Sequence, residues 1–342
     1  MKKIFLSVAI ATVMFSCSEE RNIADDSAIT NDGTELAAAR KCYAAENFEK
    51  MLLNPEFAKN TEYIETQTQR FISENLELAK AKPAGNGKPG GGGGGTTPVT
   101  DNLGVLNIPV IVHVIYNTSS QNISDAQINS QIDVLTADFR KTNSDAGQAP
   151  SEFAGLVADS EITFTLASVT RTASSRTSWG TNDAMKSSAN GGVDAVDPAN
   201  FLNIWVCNIG GGILGYAQFP GGPSSTDGVV VSPQYFGTTG TATAPFDGGR
   251  TATHEVGHYL NLRHIWGDGR CRQDDYVSDT PSSDRANYGC PSYPTNNCKS
   301  NDMTMNYMDY VDDACMYMFS TGQKTRMRAL FASGGVRQSL VN

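Results

Sequence analysis

Basic charge is in short supply in this chain: 26 Lys and Arg stand against 36 Asp and Glu, a formal net charge of -10. No basic stripe exists to neutralise phosphates, which argues against a nucleic-acid partner. An apolar run of membrane-spanning length is also missing near the N-terminus, where Ile4 to Phe15 falls well short of the ~20 residues a spanning helix needs. No internal repeat is visible. The 342 residues therefore suit one large domain with accessory segments, or two modest domains. Histidine is scarce, with four in the whole chain, and three of them fall within HEVGHYLNLRH, 254 to 264.

What the N-terminus does hold is a secretory pattern. Lys2 and Lys3 precede the short apolar run, which ends in Met14-Phe15-Ser16-Cys17. That ending resembles the lipobox of bacterial lipoproteins, which implies a signal over 1–17, lipidation of Cys17 and an anchor in a bacterial outer membrane. Plain secretion with cleavage nearby is the alternative. Either route exports the protein to a place where cysteines can pair.

Residues 18 to about 82 are polar, with two short amphipathic stretches, NFEKMLLNPEF and TEYIETQTQRFISENLELAK, that offer no core of their own. AKPAGNGKPGGGGGGTTPVT, residues 81–100, is too rich in Gly and Pro to nucleate helix or strand and reads as a flexible linker. Past it the texture changes. IPVIVHVIY (108–116) is a β-branched run fit for a buried strand, with His113 a hydrogen-bonded core histidine. SDAQINSQIDVLTADFRK starts with a capping box of Ser124 and Gln127 and sets Ile128, Ile132, Leu135 and Phe139 on one helical face. EITFTLASVT turns Ile162, Phe164 and Leu166 inward, and FLNIWVCNI (201–209) is a third strand. Residues 265–319 are irregular, and a helix capped at Ser320 closes the chain. This order suggests an α+β domain.

In HEVGHYLNLRH, His254 and His258 are four apart and share one helical face. Glu255 can reach the position they leave open. A catalytic zinc needs three protein ligands, and His264 is the third only if the helix stops near Asn261 and the chain bends back. Such a bend calls for a left-handed residue, usually glycine. Asparagine is the next best choice, at a cost of order 1 kcal/mol. With that bend Glu255 is the general base toward a metal-activated water.

HEVGHYLNLRH resembles the metzincin zinc signature, and Asn306-Tyr307-Met308-Asp309-Tyr310 resembles the Met-turn of that clan. The wider string HEVGHYL, RH, DTP, NYMDY, C is most similar to the pappalysin family. The resemblance implies a zinc endopeptidase over 100–342. It would have a twisted, mixed but mostly parallel sheet, backing and active-site helices, and a disulfide-braced irregular lower subdomain with the Met-turn. An edge strand around Leu214 to Phe219 would bind extended protein or peptide substrate by β-augmentation. Tyr310 would stabilise the oxyanion, Met308 would floor the site without ligating, and a monomer is expected.

Four of the seven cysteines, Cys271, Cys290, Cys298 and Cys315, lie in the irregular lobe and allow three pairings. The resemblance implies Cys271 with Cys298 and Cys290 with Cys315. Arg40-Lys41-Cys42 matches the Arg-x-Cys start of pappalysin-like precursors, implying a latent prosegment over 18–99 whose Cys42 binds the zinc as a cysteine switch. A disulfide between Cys42 and Cys207 is the competing reading. Family members carry structural calcium in the lobe, so DDYVSDTP suggests Asp275, Asp279 and Thr280 as calcium ligands; a solvated acidic loop is the alternative. Relatives that cut before arginine have an acidic residue where Ala314 stands, and Asp312 and Asp313 lie close by but aimed differently, so a smaller or more apolar pocket is expected. The rival function is a non-catalytic surface lipoprotein that binds peptides on a metzincin-like fold.

Overall fold

The computed structural model describes residues 40–75 and 101–341, which fall within one compact unit. The signal at 1–17, Cys17 and the linker at 81–100 lie outside the described residues. The first strand, Leu106–Tyr116 (β1), is almost continuously buried, as a strand covered on both faces must be. It runs parallel to Ile162–Ala173 (β2) on one side and to Leu202–Val206 (β3) on the other. Gly215–Ala217 (β4) is antiparallel to Val229–Val231 (β5), and β5 is parallel to β3. The order β2-β1-β3-β5-β4 leaves β4 as an edge.

Among the described residues five α-helices accompany this sheet: Ala44–Met51 (α1), Pro55–Glu74 (α2), Asp125–Phe139 (α3), Arg250–Tyr259 (α4) and Thr321–Ala329 (α5). Ile128, Ile132, Leu135 and Phe139 of α3 join the main core, together with Ala252 and Val256 of α4. The α3 start differs from the expected capping box. Ser124 accepts from the Gln127 N–H at 3.2 Å, but the Gln127 side chain donates to Pro233 O and Phe236 O instead of turning back. The Oε1 that a capping box would turn back to the Ser124 N–H accepts instead from the Thr241 N–H at 3.1 Å. Reciprocal boxes do form at α5, between Ser320 and Gln323, and at the short turn where Thr118 meets Gln121.

Inward alternation in β2 holds for Ile162 and Phe164 but fades at Leu166, where the register with β1 shifts and the edge meets solvent. His113 is fully buried, with Nδ1 2.8 Å from Thr170 Oγ1 and Nε2 2.8 Å from Asn203 Oδ1. In the irregular lobe the disulfides are Cys271–Cys298 and Cys290–Cys315, and Cys42 and Cys207 are both unpaired and buried. A two-residue hairpin, Asn296–Asn297 (β6) with Ser300–Asn301 (β7), is its only regular pairing among the described residues.

The N-terminal helices fold on the rest of the chain. Pro55 starts α2 behind an Asn54 side chain that accepts from Glu56 and Phe57 N–H groups. Ile64 of α2 enters the main core, and Phe48 and Phe57 pack with Phe219. Their apolar faces are too small to bury one another, so they are buried by the larger body.

Candidate active site

The whole of α4 is buried, and its two ends explain how it presents HEVGH. Gly249 at the N-cap has no side chain to cap with, so a remote carboxylate does the work. Asp313 Oδ2 accepts from the N–H groups of Gly248 at 2.9 Å and Arg250 at 3.1 Å. At the other end the helix stops at Tyr259, and Asn261 takes φ +70°. Leu262 N–H donates to Gly257 O and Asn261 N–H to His258 O, both at 2.9 Å, which is a Schellman turn. Gly257 is required for a different reason: a Cβ there would collide with Met308 Sδ, which packs against the helix from below.

This turn brings the three imidazoles together. The Nε2 atoms of His254, His258 and His264 form a triangle with edges of 3.1, 3.1 and 3.3 Å. Each ring has its Nδ1 on an acceptor: Tyr307 O at 2.6 Å for His254, Leu262 O at 2.8 Å for His258, and the Asp268 carboxylate for His264. With Nδ1 donating, each Nε2 carries a lone pair, and three lone pairs meet at one point. Burial pushes His254 well below the usual imidazole range and His258 down to about 3, so neither ring carries charge at neutral pH. A tetrahedral ion with bonds of about 2.0–2.1 Å spans donors roughly 3.3–3.4 Å apart. The donor set fits a zinc-sized ion in chemistry and in spacing.

Cys42 completes the cluster. Its Sγ lies with the three histidine nitrogens inside one group whose atoms are all within 4.8 Å of one another. The thiol donates to Glu255 Oε2 at 3.3 Å. Burial pushes the Glu255 carboxyl up to about 8, against the opposing pull of Cys42 and Arg40. Residues 41–43 pair in parallel with the edge strand, through Leu214 N–H to Lys41 O at 2.9 Å and Tyr43 N–H to Gly215 O at 3.3 Å. Tyr310 faces the site, its ring 5.7 Å from His254 and 4.9 Å from His264.

The pocket beside Thr251 departs from expectation. Arg40 fills it, pairing with Asp313 Oδ1 and donating to Val311 O and Thr251 Oγ1, both at 3.3 Å. The acidic group is Asp313, one residue before Ala314, and it is 2 % exposed. Asp313, expected to be aimed differently, faces Arg40 because the start of α4 holds its other oxygen there. In the 274–281 loop, Thr280 Oγ1 and Val277 N–H donate to Asp275, whereas Asp279 accepts from Ser320 Oγ and Gly322 N–H at the start of α5.

The residues that orient the three histidines carry fainter marks in the sequence. Asp268, in GDG four residues after His264, was legible as a partner for that histidine. Asp138 was not. It sits on the α3 helix and accepts from Thr253 Oγ1 and Tyr307 Oη, tying α3 to both sides of His254.

Fold and site together define a metzincin-like metalloprotease. The chain belongs to the pappalysin family. The model for that family, Peptidase_M43, pregnancy-associated plasma protein-A, matches residues 187–332. Among curated relatives, Extracellular metalloprotease 1 of Coccidioides posadasii is 36 % identical over 239 residues, which is 66 % of this chain and 77 % of the relative. Mature mirolysin of Tannerella forsythia, solved with a cleaved peptide, is 48 % identical over 69 % of this chain and 96 % of its own, with a TM-score of 0.68. Promirolysin of the same organism is 40 % identical over 88 % of this chain and 97 % of its own, with a TM-score of 0.74.

Proposed function

We propose that the protein is an exported zinc endopeptidase made as a latent precursor. The observation that carries this is the meeting of three Nε2 lone pairs beside Glu255. His254, His258 and His264 would hold the ion, which supplies Lewis acidity toward a water and a peptide carbonyl. Glu255 takes the proton from the attacking water and returns it to the leaving amine. Tyr310, whose ring packs beside His254 and His264, would meet the developing negative charge on the carbonyl oxygen with its hydroxyl. The start of strand β4 and Leu214 just before it offer Leu214 N–H and Gly215 O to an extended peptide, the groups that residues 41–43 use in the precursor.

Residues 40–75 act as the prosegment in this reading. The Cys42 thiol donates to Glu255 Oε2 among the imidazoles, and burial together with the Glu255 charge pushes its pKa up, so a bound cation would be what holds it as a thiolate there. Promirolysin aligning over more of this chain than mature mirolysin supports the same view. Arg40 lies where a substrate side chain would, so the pocket ending in Asp313 is proposed to take a basic one. The names of the curated relatives support export. Lipidation of Cys17 and a structural calcium at Asp275 belong to the same proposal. Radiolabelled palmitate that leaves a Cys17→Ser variant and the wild type equally unlabelled sinks the first.

The test of activity is casein or gelatin cleavage by the processed protein, with Glu255→Ala as control. Loss of a general base lowers the rate about 10²–10⁴-fold. Equal rates for the two proteins overturn the mechanism and favour the peptide-binding alternative.

A further inference from the structure

Beyond Cys42, the prosegment delivers an aromatic ring to a seat walled by its own Phe57, 5.7 Å away between ring centres, and by two residues of the enzyme body. Phe48 of α1 is 5 % exposed, and its ring centre is 4.7 Å from that of Phe219. The Arg263 guanidinium carbon lies 5.0 Å from the same ring. Phe219 follows edge strand β4 and packs 5.2 Å from the His258 ring. Arg263 lies between Leu262 and His264, so the Schellman turn that aims His264 also sets Arg263. Neither of these two residues is incidental to the site. Along α4, the Arg40 pocket lies at Thr251 and this seat lies at His258, with Glu255 between them.

We propose that Phe219 and Arg263 form a substrate subsite for an aromatic side chain, on the side of the reacting centre away from the Asp313 pocket. This rests on the peptidase reading above. A planar ring can pack its edge or face on Phe219 and offer its π face to the guanidinium. A leucine gains the burial but not the cation–π contact, and a charged side chain gains neither. The prosegment therefore occupies two subsites at once, with a guanidinium on one side of Glu255 and a ring on the other. Extended substrate reaches the ring seat along β4, whose cleft face carries little bulk before it: a Cβ at Gly215 would already crowd Glu255 Cγ at 3.0 Å.

The test is a set of peptides with one fixed arginine, in which each of four positions on either side is alanine, leucine or phenylalanine in turn. For the processed enzyme, kcat/KM for the phenylalanine peptide should exceed that for alanine about tenfold at one position on the side away from the arginine. Phe219→Ala should bring that ratio close to one, and Arg263→Gln should reduce the preference for phenylalanine over leucine. Each ratio is taken within one preparation, so a smaller fraction of folded or metal-loaded variant does not alter it. A wild-type ratio near one at every position overturns the proposal, as does an unchanged ratio in Phe219→Ala. If no peptide is cleaved and Glu255→Ala equals wild type, the peptidase reading falls and the subsite falls with it.

Discussion

The Cys42 thiol and the Glu255 carboxylate share a hydrogen bond of 3.3 Å in the cleft where three imidazoles converge. On the proposed function, latency and catalysis compete for one carboxylate. Cys42→Ala removes the competitor. The unprocessed variant is expected to cleave casein, or itself, earlier than the wild-type precursor does. Indistinguishable lag times would remove the switch from this protein.

Arg40 makes a second claim on the cleft, through Asp313. A hydrogen bond to a charged group is worth about 1.5–3 kcal/mol, roughly 10–100-fold in kcat/KM. Asp313→Asn keeps an oxygen for the Gly248 and Arg250 N–H groups and removes the charge. It should therefore depress cleavage of arginine peptides relative to alanine peptides by that factor. A processed wild-type enzyme with no preference for basic side chains would show that Arg40 fits this pocket only as part of the precursor.

Asn261 holds φ +70°, and its Nδ2 is buried without a protein partner among the described residues. The side chain contributes little beyond tolerance of the left-handed region. Asn261→Gly should leave the melting temperature nearly unchanged. Asn261→Ala should lower it by about 2–4 °C and weaken zinc retention, because the turn aims both His258 and His264. Calorimetry with metal analysis checks both; equal melting for all three proteins would mean that the turn is set by other contacts.

Burial pushes Asp275 up to about 7 from 3.8, despite the hydrogen bond from Thr280. Its folded form keeps a proton that the unfolded chain has released. The contribution to stability is present below about 4 and lost as pH rises through about 7. In calcium-free buffer, Asp275→Asn should gain on wild type between pH 5 and pH 8. Added calcium should stabilise wild type at pH 8 far more than at pH 5. A calcium titration that moves no melting temperature at pH 8 sinks the ion at this loop.

The sequence carried the three histidines and the turn because their spacing is local: HEVGHYLNLRH is one helix and one bend, and Asn261 is the residue where that helix must stop. Strands β1 and β3 were legible for a similar reason, since β-branched runs buried on both faces leave no ambiguity. Partners distant in sequence were not. Gln127 reads as half of a capping box until the 233–241 loop takes its amide. Ala314 reads as an apolar pocket until the start of α4 draws Asp313 into place. Asp138 has no sequence mark at all, because its importance comes from Thr253 and Tyr307 meeting on it.

Each imidazole is aimed by a different stretch of chain: Leu262 O in the turn, Asp268 just beyond it, and Tyr307 O more than fifty residues onward. A fragment from 250 to 268 would hold all three ligands and still lack the carbonyl that orients the first. The triangle is a property of the finished tertiary structure rather than of its motif. Metal occupancy in this protein therefore reports that the irregular lobe has closed under the helix, and a chain that binds the ion tightly has already folded.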